Sequence, residues 1–206
     1  LKADKKYQFE IDTLEKVKIA LEEGKCARTL EYTDEEREVL KESFLLTMKP
    51  TLYVANVSEE ELENPYENDN VKKVVEYAKQ EGADVIPLCV KIEEELSTLE
   101  KEDKAEMLQA LGLEESGLDK LIKASYNLLG LMSFLTAGEP EVRAWTIKIG
   151  TKAPQAAGKI HSDIERGFIK AEVISFEDLV NKANGSMVQA KEKGLVRSEG
   201  KEYIMQ

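Results

Sequence analysis

The sequence lacks the features that mark membrane proteins, disulfide-rich proteins and histidine-based metal sites. Its 206 residues include two cysteines and one histidine, and no apolar run approaches the roughly 18 residues that a membrane helix needs. Cys26 and Cys89 stand in unrelated contexts without a pairing or metal-ligand spacing, which favours two reduced thiols. No signal-peptide pattern opens the chain. We therefore expect a cytoplasmic protein that has no membrane partner and no metal site of its own.

The composition is that of an ordinary folded protein with an acidic excess. Hydrophobic residues make up 42% of the chain and charged residues 34%, so the chain is not of the disordered class. The net charge of −12 argues against non-specific nucleic-acid binding by the whole molecule, and nothing indicates specificity for DNA. A local basic surface stays compatible with this balance.

The first quarter of the chain is predicted to be helical. An apolar stripe predicts a helix over residues 4–23, which Gly24 ends. Thr33-Asp34-Glu35-Glu36 reads as a capping box, which begins a second helix toward Leu46. A charged helix with so narrow a stripe packs either on a partner helix or back on the body of the protein, and the pattern alone leaves both open.

Two short apolar runs predict a parallel strand pair. Residues 51–56 and 84–90 flank a helix at 70–81, and a strand, a helix and a strand within so few residues form a right-handed parallel unit. The first run is apolar on both faces, as in a buried strand. Helices are expected at 93–99, 102–111 and 117–129, the last with a core-spaced face formed by Leu118, Leu121, Ile122, Ser125 and Leu129.

From residue 131 the pattern changes to a small α+β domain. Strands are predicted at 133–137, 142–149 and 169–174, with a tight connection over 138–141 and a short helix that carries Pro154 in its first turn. Ser175 is expected to cap a helix through Ala183. Residues 195–197 and 203–206 are predicted to be the final strands.

Long motifs in this second part resemble one protein family. These are Val142-Arg143-Ala144-Trp145-Thr146-Ile147, the run from Gly150 through Pro154 and His161 to Asp163, and Gly167-Phe168-Ile169. They resemble the TGS domain of the YchF family, the Obg-like P-loop ATPases of the translation-factor class. The likeness extends upstream to Lys49-Pro50-Thr51-Leu52-Tyr53-Val54-Ala55-Asn56-Val57-Ser58-Glu59 and to Gly24-Lys25-Cys26-Ala27-Arg28.

The resemblance implies a three-part, mixed α/β and α+β architecture. Residues 1–48 correspond to the end of a helical, coiled-coil arm, 49–130 to the C-terminal part of a P-loop nucleotide-binding domain, and 131–206 to a β-grasp-like TGS domain. The family's phosphate-binding loop, G-x-x-x-x-G-K-[ST], has no match in this sequence. We therefore expect a piece of a longer ATP-hydrolysing protein that is inactive alone, and expect the Mg²⁺ ligands to lie outside this chain.

The candidate nucleotide site follows the two predicted parallel strands. Ligands of open α/β sheets bind beyond the carboxyl ends of the strands, where Asn56, Val57, Ser58 and Glu59 follow the first strand and Cys89, Val90 and Lys91 follow the second. The resemblance implies that Asn-x-x-Glu replaces the guanine-reading Asn-Lys-x-Asp of related GTPases and favours ATP over GTP. From the residues alone, a helix-capping turn and a strand end turning into a helix are the alternatives. For the second segment we expect backbone contacts rather than thiol chemistry.

The implied partner is the ribosome or ribosomal RNA. Residues 143–170 contain six basic and two acidic residues, so this segment carries +4 within an acidic chain, as suits an RNA-facing surface. A mixed charged surface is the alternative. The candidates are Arg143, Lys148, Lys152, Lys159 and His161, and Trp145 is expected to be a core aromatic more than a stacking platform. A non-catalytic docking module that acts through the TGS domain and the arm is the second functional hypothesis.

Overall fold

A computed structural model describes residues 5–138 and 141–206 of the chain. The fold mixes helices with short strands, and the chain divides into two compact units, with the boundary between Leu128 and Leu129. Among the described residues, the first unit has one sheet and two buried clusters, and the second has two sheets and one buried cluster. Each unit is described separately below.

The first unit contains six α-helices and one pair of strands within its described residues. Their bounds are α1 Lys5–Glu22, α2 Asp34–Lys41, β1 Leu52–Asn56, α3 Asp69–Glu81, β2 Asp84–Leu88, α4 Val90–Ser97, α5 Lys101–Ala110 and α6 Gly117–Leu128. Single 3₁₀ turns fill several of the connections.

Helices α1 and α2 pack on each other through a small core at one end of α1. Val17 of α1 and Leu40 of α2 are buried together with Ala27, whereas Ile11 and Leu14, earlier in the stripe of α1, are exposed. The predicted capping box is confirmed, because Thr33 and Glu36 exchange side-chain and backbone hydrogen bonds. The apolar stripe of α1 is therefore only partly covered within the described residues.

Helix α2 is shorter than predicted. It ends at Lys41 instead of continuing to Leu46, and Phe44 then takes a left-handed backbone conformation at φ +47°. Such a conformation is unfavourable for a bulky side chain and cannot continue a right-handed helix. The left-handed conformation of Phe44 thus prevents α2 from reaching Leu46. The apolar pattern alone could not predict it.

The strand–helix–strand prediction is confirmed. Strands β1 and β2 pair in parallel, with Leu52 opposite Asp84 and Asn56 opposite Leu88, and α3 ends at Gly82, whose φ of +66° suits glycine. The prediction that β1 is buried on both faces is wrong for this chain, because the side chain of Val54 is 46% exposed. Within the described residues this sheet has two strands, and the face of β1 that carries Val54 is left open to solvent.

A carboxylate that accepts four hydrogen bonds connects the segment after α1 to the sheet. Glu81, at the end of α3, accepts hydrogen bonds from Arg28 Nη2 at 2.6 Å, the Tyr53 hydroxyl at 2.7 Å, the Tyr77 hydroxyl at 3.1 Å and the Cys26 thiol at 3.3 Å. The Tyr53 bond is the largest of the causes that lower the pKa of Glu81 to about 2. Glu81 therefore stays ionised and links α3 both to β1 and to the segment that follows α1.

Helices α4, α5 and α6 are found close to their predicted positions, with two corrections. Glu93 is not simply part of an exposed acidic face, because its carboxylate accepts hydrogen bonds from the backbone N–H groups of Gly117 (2.7 Å) and Leu118 (3.0 Å) and so caps α6. The predicted core face of α6 is not a core here. Its members Leu118 and Ile122 are exposed, as is Leu129 just after the helix.

The second unit contains two antiparallel strand pairs and three α-helices within its described residues. The bounds are β3 Leu131–Ala137, β4 Val142–Lys148, α7 Ala153–Ile160, α8 Ser162–Arg166, β5 Ala171–Val173, α9 Met187–Glu192 and β6 Arg197–Glu199. Strand β3 pairs with β4, and β5 with β6. Helix α7, which has Pro154 in its first turn, contributes Ala153 and Ala157 to a buried cluster with Phe168.

Several predictions for the second unit need correction. Ser175 does accept a hydrogen bond from the Asp178 N–H, but the helix that follows is a π-helix over Asp178–Lys182. The predicted last strand, residues 203–206, is reduced to an isolated bridge between Lys152 and Ile204. Helices α8 and α9 were not predicted. Part of the predicted tight connection, Glu139 and Pro140, lies outside the described residues.

Candidate functional site

A cleft of about 860 Å³ lies at the carboxyl ends of β1 and β2. This volume falls within the usual size range of small-molecule sites. Six of the seven residues predicted to bind nucleotide line it, namely Asn56, Val57, Ser58, Glu59, Cys89 and Lys91, together with Glu60, Ala110 and Leu111. The parallel register explains this meeting, because Asn56 and Leu88 end their strands side by side.

A side-chain hydrogen bond fixes the two strand-end loops to each other. The Asn56 side-chain oxygen accepts from the backbone N–H of Val90 at 3.1 Å. Val90 is the first residue of α4, and its N–H has no acceptor within the helix. Asn56 thus holds the loop after β1 against the start of α4, and Val90, the seventh predicted residue, takes part through its backbone.

The loop after β1 uses its backbone donors internally. The N–H of Val57 donates to the carbonyl of Leu88 at 2.9 Å, which extends the pairing of the two strands by one step. The Ser58 N–H donates to Glu61 Oε2 at 3.0 Å, and the Ser58 hydroxyl donates to the same oxygen at 2.9 Å. The bonds from the Ser58 backbone and hydroxyl, in that order, lower the pKa of Glu61. Neither the Val57 N–H nor the Ser58 N–H is available to a ligand in this conformation.

Glu59 and Lys91 supply the charged groups at the cleft. The Lys91 Nζ lies 3.8 Å from Glu59 Oε2 and 4.0 Å from Glu95 Oε1. The side chains of Glu59 and Lys91 are 50% and 70% exposed. Among the described residues, the Glu59 carboxylate has this ion pair but no hydrogen bond within the usual distance, so it retains capacity to accept hydrogen bonds from a ligand.

Apolar residues line part of the cleft, and a buried apolar cluster lies next to it. Ala110 and Leu111, at the end of α5, line it, and sequence reasoning missed both because they lie far along the chain from the strand ends. Cys89 is buried with Ile92 and Leu96 of α4. The thiol of Cys89 therefore packs in a hydrophobic cluster, and an apolar wall of this kind suits a planar ring.

The predicted RNA-facing residues do not all share one face of the second unit. Arg143 and Lys148 lie five positions apart on β4, so their side chains point to opposite faces of the strand. The Arg143 guanidinium stacks on the Trp145 ring at 4.2 Å from its centroid, and the Trp145 Nε1–H donates to the Thr136 hydroxyl at 2.8 Å. Trp145 is half-buried, so it is neither a fully buried core aromatic, as predicted, nor a fully exposed stacking platform.

The other three candidates of that group have separate local roles. Lys152 pairs with Glu202, and Lys159 lies in the last turn of α7. His161 caps α8, because its Nδ1 accepts from the Asp163 N–H at 3.1 Å, which gives the imidazole a structural role. Residues 5–138 and 141–206 contain no group of three or more histidine, cysteine, aspartate or glutamate side chains that could hold a metal ion. Within the same ranges, no helix is long and apolar enough to cross a membrane.

Comparison with known proteins identifies relatives along almost the whole chain. The family model YchF-GTPase_C, described as "Protein of unknown function (DUF933)", matches residues 131–206. A Bacillus subtilis protein named ribosome-binding ATPase YchF is 57% identical over 203 residues, which is 98% of this chain and 55% of that protein. The protein of the same name from Haemophilus influenzae is 47% identical over 205 residues, again 98% of this chain and 54% of that protein.

A solved structure agrees with these sequence matches. The structure of the Schizosaccharomyces pombe YchF GTPase matches with a TM-score of 0.81 at 35% identity, and the match covers 98% of this chain and 53% of that one. The chain thus spans about half the length of the relatives that it matches. The identities, the domain match and the structural match agree, and the chain belongs to the YchF family.

Proposed function

We propose that the first unit carries the base-binding part of a nucleotide-binding domain in a ribosome-associated ATPase that prefers ATP to GTP. The cleft at the ends of β1 and β2 is the observation that carries this proposal. Its two loops are locked together by Asn56 and Val90, while Glu59 keeps an open carboxylate beside an apolar wall. A cleft that offers an open carboxylate beside an apolar wall suits a purine ring.

Adenine suits this acceptor through its exocyclic amine. That amine donates a hydrogen bond, which the Glu59 carboxylate accepts, and the ring stacks against Leu111. Guanine has a carbonyl oxygen at the same ring position, and a carboxylate facing that oxygen would lose its donor at a cost of about 1–3 kcal/mol. The names of the relatives differ on this point, because the bacterial proteins are called ATPases and the Schizosaccharomyces pombe protein a GTPase.

The affinities of the full-length protein for ATP and GTP test this assignment. We expect ATP to bind more tightly, and we expect Glu59→Asp to narrow the ATP/GTP affinity ratio by about tenfold, the equivalent of roughly 1.4 kcal/mol. Glu60→Asp, a neighbouring carboxylate of the same cleft, is the matched control and should leave the ratio in place. Equal binding of the two nucleotides by the wild type, or an unchanged ratio in Glu59→Asp, contradicts the proposal.

The phosphates and Mg²⁺ of the bound nucleotide belong to another part of the proposed site. Two backbone donors that line the cleft, the N–H groups of Val57 and Ser58, are engaged within the protein. We propose that a phosphate-binding loop beyond these 206 residues holds the phosphates, and that it supplies the positioning and charge stabilisation on which hydrolysis depends. The residues of this chain orient the base.

The second unit and the first two helices form the proposed docking part of the protein. We assign residues 131–206 to a TGS domain and α1–α2 to the end of a helical arm, and the setting to the cytoplasm. The basic segment 143–170, with the Arg143 guanidinium stacked on Trp145, favours contact with ribosomal RNA, because stacked arginines and basic side chains bind phosphates and bases. Docking without catalysis is accordingly the second candidate function for this chain.

Co-sedimentation of the 206-residue chain with ribosomes, without nucleotide, tests the docking function. We expect binding that weakens steeply as salt is raised. Reversing the charges of Lys148, Lys152 and Lys159 together should abolish it, whereas reversing Lys101, Lys104 and Lys120 of the first unit serves as a charge-matched control. Failure of the folded chain to sediment, or binding that survives reversal of the three basic residues, excludes this surface.

A further inference from the structure

Lys91 supplies a positive charge at the cleft, beside the carboxylate of Glu59. It lies in the first turn of α4, and its ammonium lies 3.8 Å from Glu59 Oε2 and 4.0 Å from Glu95 Oε1. Glu60 also lines the cleft, so Lys91 is the sole basic residue among the cleft-lining residues described. Its nearer partner is Glu59, the residue that the proposed function assigns to base reading.

The ion pair changes what Glu59 can offer to a purine. An ionised carboxylate has two oxygens. A guanine that turns its carbonyl oxygen away from Glu59 can still present its ring N–H and exocyclic amine, which donate side by side and need both oxygens. Adenine has a single exocyclic amine and needs one oxygen. In this structure the Lys91 ammonium lies on the side of Oε2, at 3.8 Å, so one oxygen is engaged by a cation and the other is left for a ligand.

The geometry points to Lys91 as a specificity-determining residue, whose ammonium engages one oxygen of Glu59 and so disfavours guanine relative to adenine. This inference rests on the proposed function, since it deepens the base-reading role of Glu59. Glu95, one helical turn further along α4, is a second carboxylate partner of the same ammonium, at 4.0 Å. The effect is modest in size, because an ion pair between exposed side chains changes an equilibrium by about two- to fivefold.

A double-mutant cycle in the full-length protein tests the inference. The affinities for ATP and GTP are measured in wild type, Lys91→Met, Glu59→Gln and the combined variant. We expect Lys91→Met to lower the ATP/GTP affinity ratio about threefold, mainly through tighter GTP binding, and we expect it to cause no further change in the Glu59→Gln background. Lys91→Arg retains the cation and should retain the ratio.

The matched control makes the same chemical change elsewhere on the same unit. Lys79 is an exposed lysine of α3 that does not line the cleft, and Lys79→Met should leave both affinities unchanged. Raising the salt should shift the wild-type ratio toward that of Lys91→Met, because salt screens an exposed ion pair. The Lys91→Met ratio should respond less.

The outcomes separate this inference from the proposed function. If wild type and variants bind neither nucleotide, or if Glu59→Gln leaves the ratio unaffected, the base-reading role of Glu59 is wrong and the inference falls with it. If Glu59→Gln changes the ratio while Lys91→Met does not, the proposed function stands and the role of Lys91 is overturned. An equal effect of Lys91→Met in the wild-type and Glu59→Gln backgrounds would likewise exclude action through the ion pair.

Discussion

Two carboxylates of the first unit illustrate opposite uses of the same side chain. Glu81 is 9% exposed and accepts four hydrogen bonds, from Arg28, Tyr53, Tyr77 and Cys26. Glu59 is 50% exposed and has one ion pair at 3.8 Å. Glu59 follows the end of β1, and Glu81 ends α3 and accepts a hydrogen bond from Tyr53 of β1.

The difference separates a residue that holds the fold from one suited to bind a ligand. A saturated, buried carboxylate has no acceptor capacity left, and its removal strands the charges that were paired with it. An exposed carboxylate with open lone pairs contributes little to stability and keeps its capacity for a partner. Loss of Glu81 should therefore lower the free energy of unfolding, whereas loss of Glu59 should change binding.

The largest effect is expected from Glu81→Ala. This change leaves the Arg28 guanidinium, whose side chain is only 15% exposed, without its carboxylate, and we expect the free energy of unfolding to fall by about 3–5 kcal/mol. Urea unfolding of the 206-residue chain measures it. Glu76→Ala, an exposed glutamate on the same helix, is the control, and a similar loss in both variants would remove the contrast between the two carboxylates.

The pH dependence of stability gives the next largest effect. The hydrogen bond from Tyr53, with those from Arg28, Cys26 and Tyr77, lowers the pKa of Glu81 to about 2 in the folded chain, below the value of about 4.3 for an unfolded glutamate. The stabilisation is fully present above about pH 4.5, and up to about 3 kcal/mol is lost as the pH falls toward 2. Urea unfolding at several pH values should show a flatter profile for Glu81→Gln in this range, and superimposable slopes would contradict the assignment.

A packing change behind the cleft should have an intermediate effect. A Cβ added at Gly117 would lie 2.8 Å from Leu88 Cβ and 2.8 Å from Glu93 Oε1, so Gly117→Ala must displace the end of β2 or the carboxylate that caps α6. We expect a loss of about 1–3 kcal/mol in thermal or urea unfolding. Gly200→Ala meets nothing within 4 Å and should be close to neutral. Equal stabilities for the two variants would show that the α6 start is loosely packed.

The smallest stability effect is expected at the cleft itself. Asn56→Ala removes the acceptor of the Val90 N–H, and we expect a loss of about 1 kcal/mol in stability together with weaker nucleotide binding, because the two loops are no longer held together. Asn56→Asp keeps an acceptor oxygen and should restore most of the stability. If Asn56→Ala binds nucleotide as the wild type does, the bond does not organise the cleft.

Local signals in the sequence predicted much of the first unit. The parallel pairing of β1 and β2, the capping box at Thr33 and the glycine end of α3 at Gly82 are confirmed. Each rests on a periodicity or on residues within one turn of each other, which a sequence displays directly. The approach of Asn56 and Glu59 to Cys89 and Lys91 followed from the parallel strands in the same way.

The local sequence patterns could not predict contacts between residues far apart in the chain, nor the solvent exposure of apolar residues. Glu93 reaches the N–H of Gly117, 24 residues away, and Arg28 reaches Glu81 across 53 residues, so neither bond has a local signature. The exposure of Val54 and of Ile122 shows a second limit, because periodicity identifies an apolar face but not what covers it. Alternation along β4 also separates Arg143 from Lys148, although the charge count had placed them in one basic segment.

The most direct test of the central claim is to locate the base of bound ATP by photolabelling. Full-length protein is irradiated with 8-azido-ATP, with and without excess ATP, and the labelled peptides are sequenced. We predict ATP-protected labelling within residues 56–60, 89–91 or 110–111, which line the cleft at the ends of β1 and β2. Protected labelling confined to peptides outside these segments would contradict the assignment of this cleft as the base site.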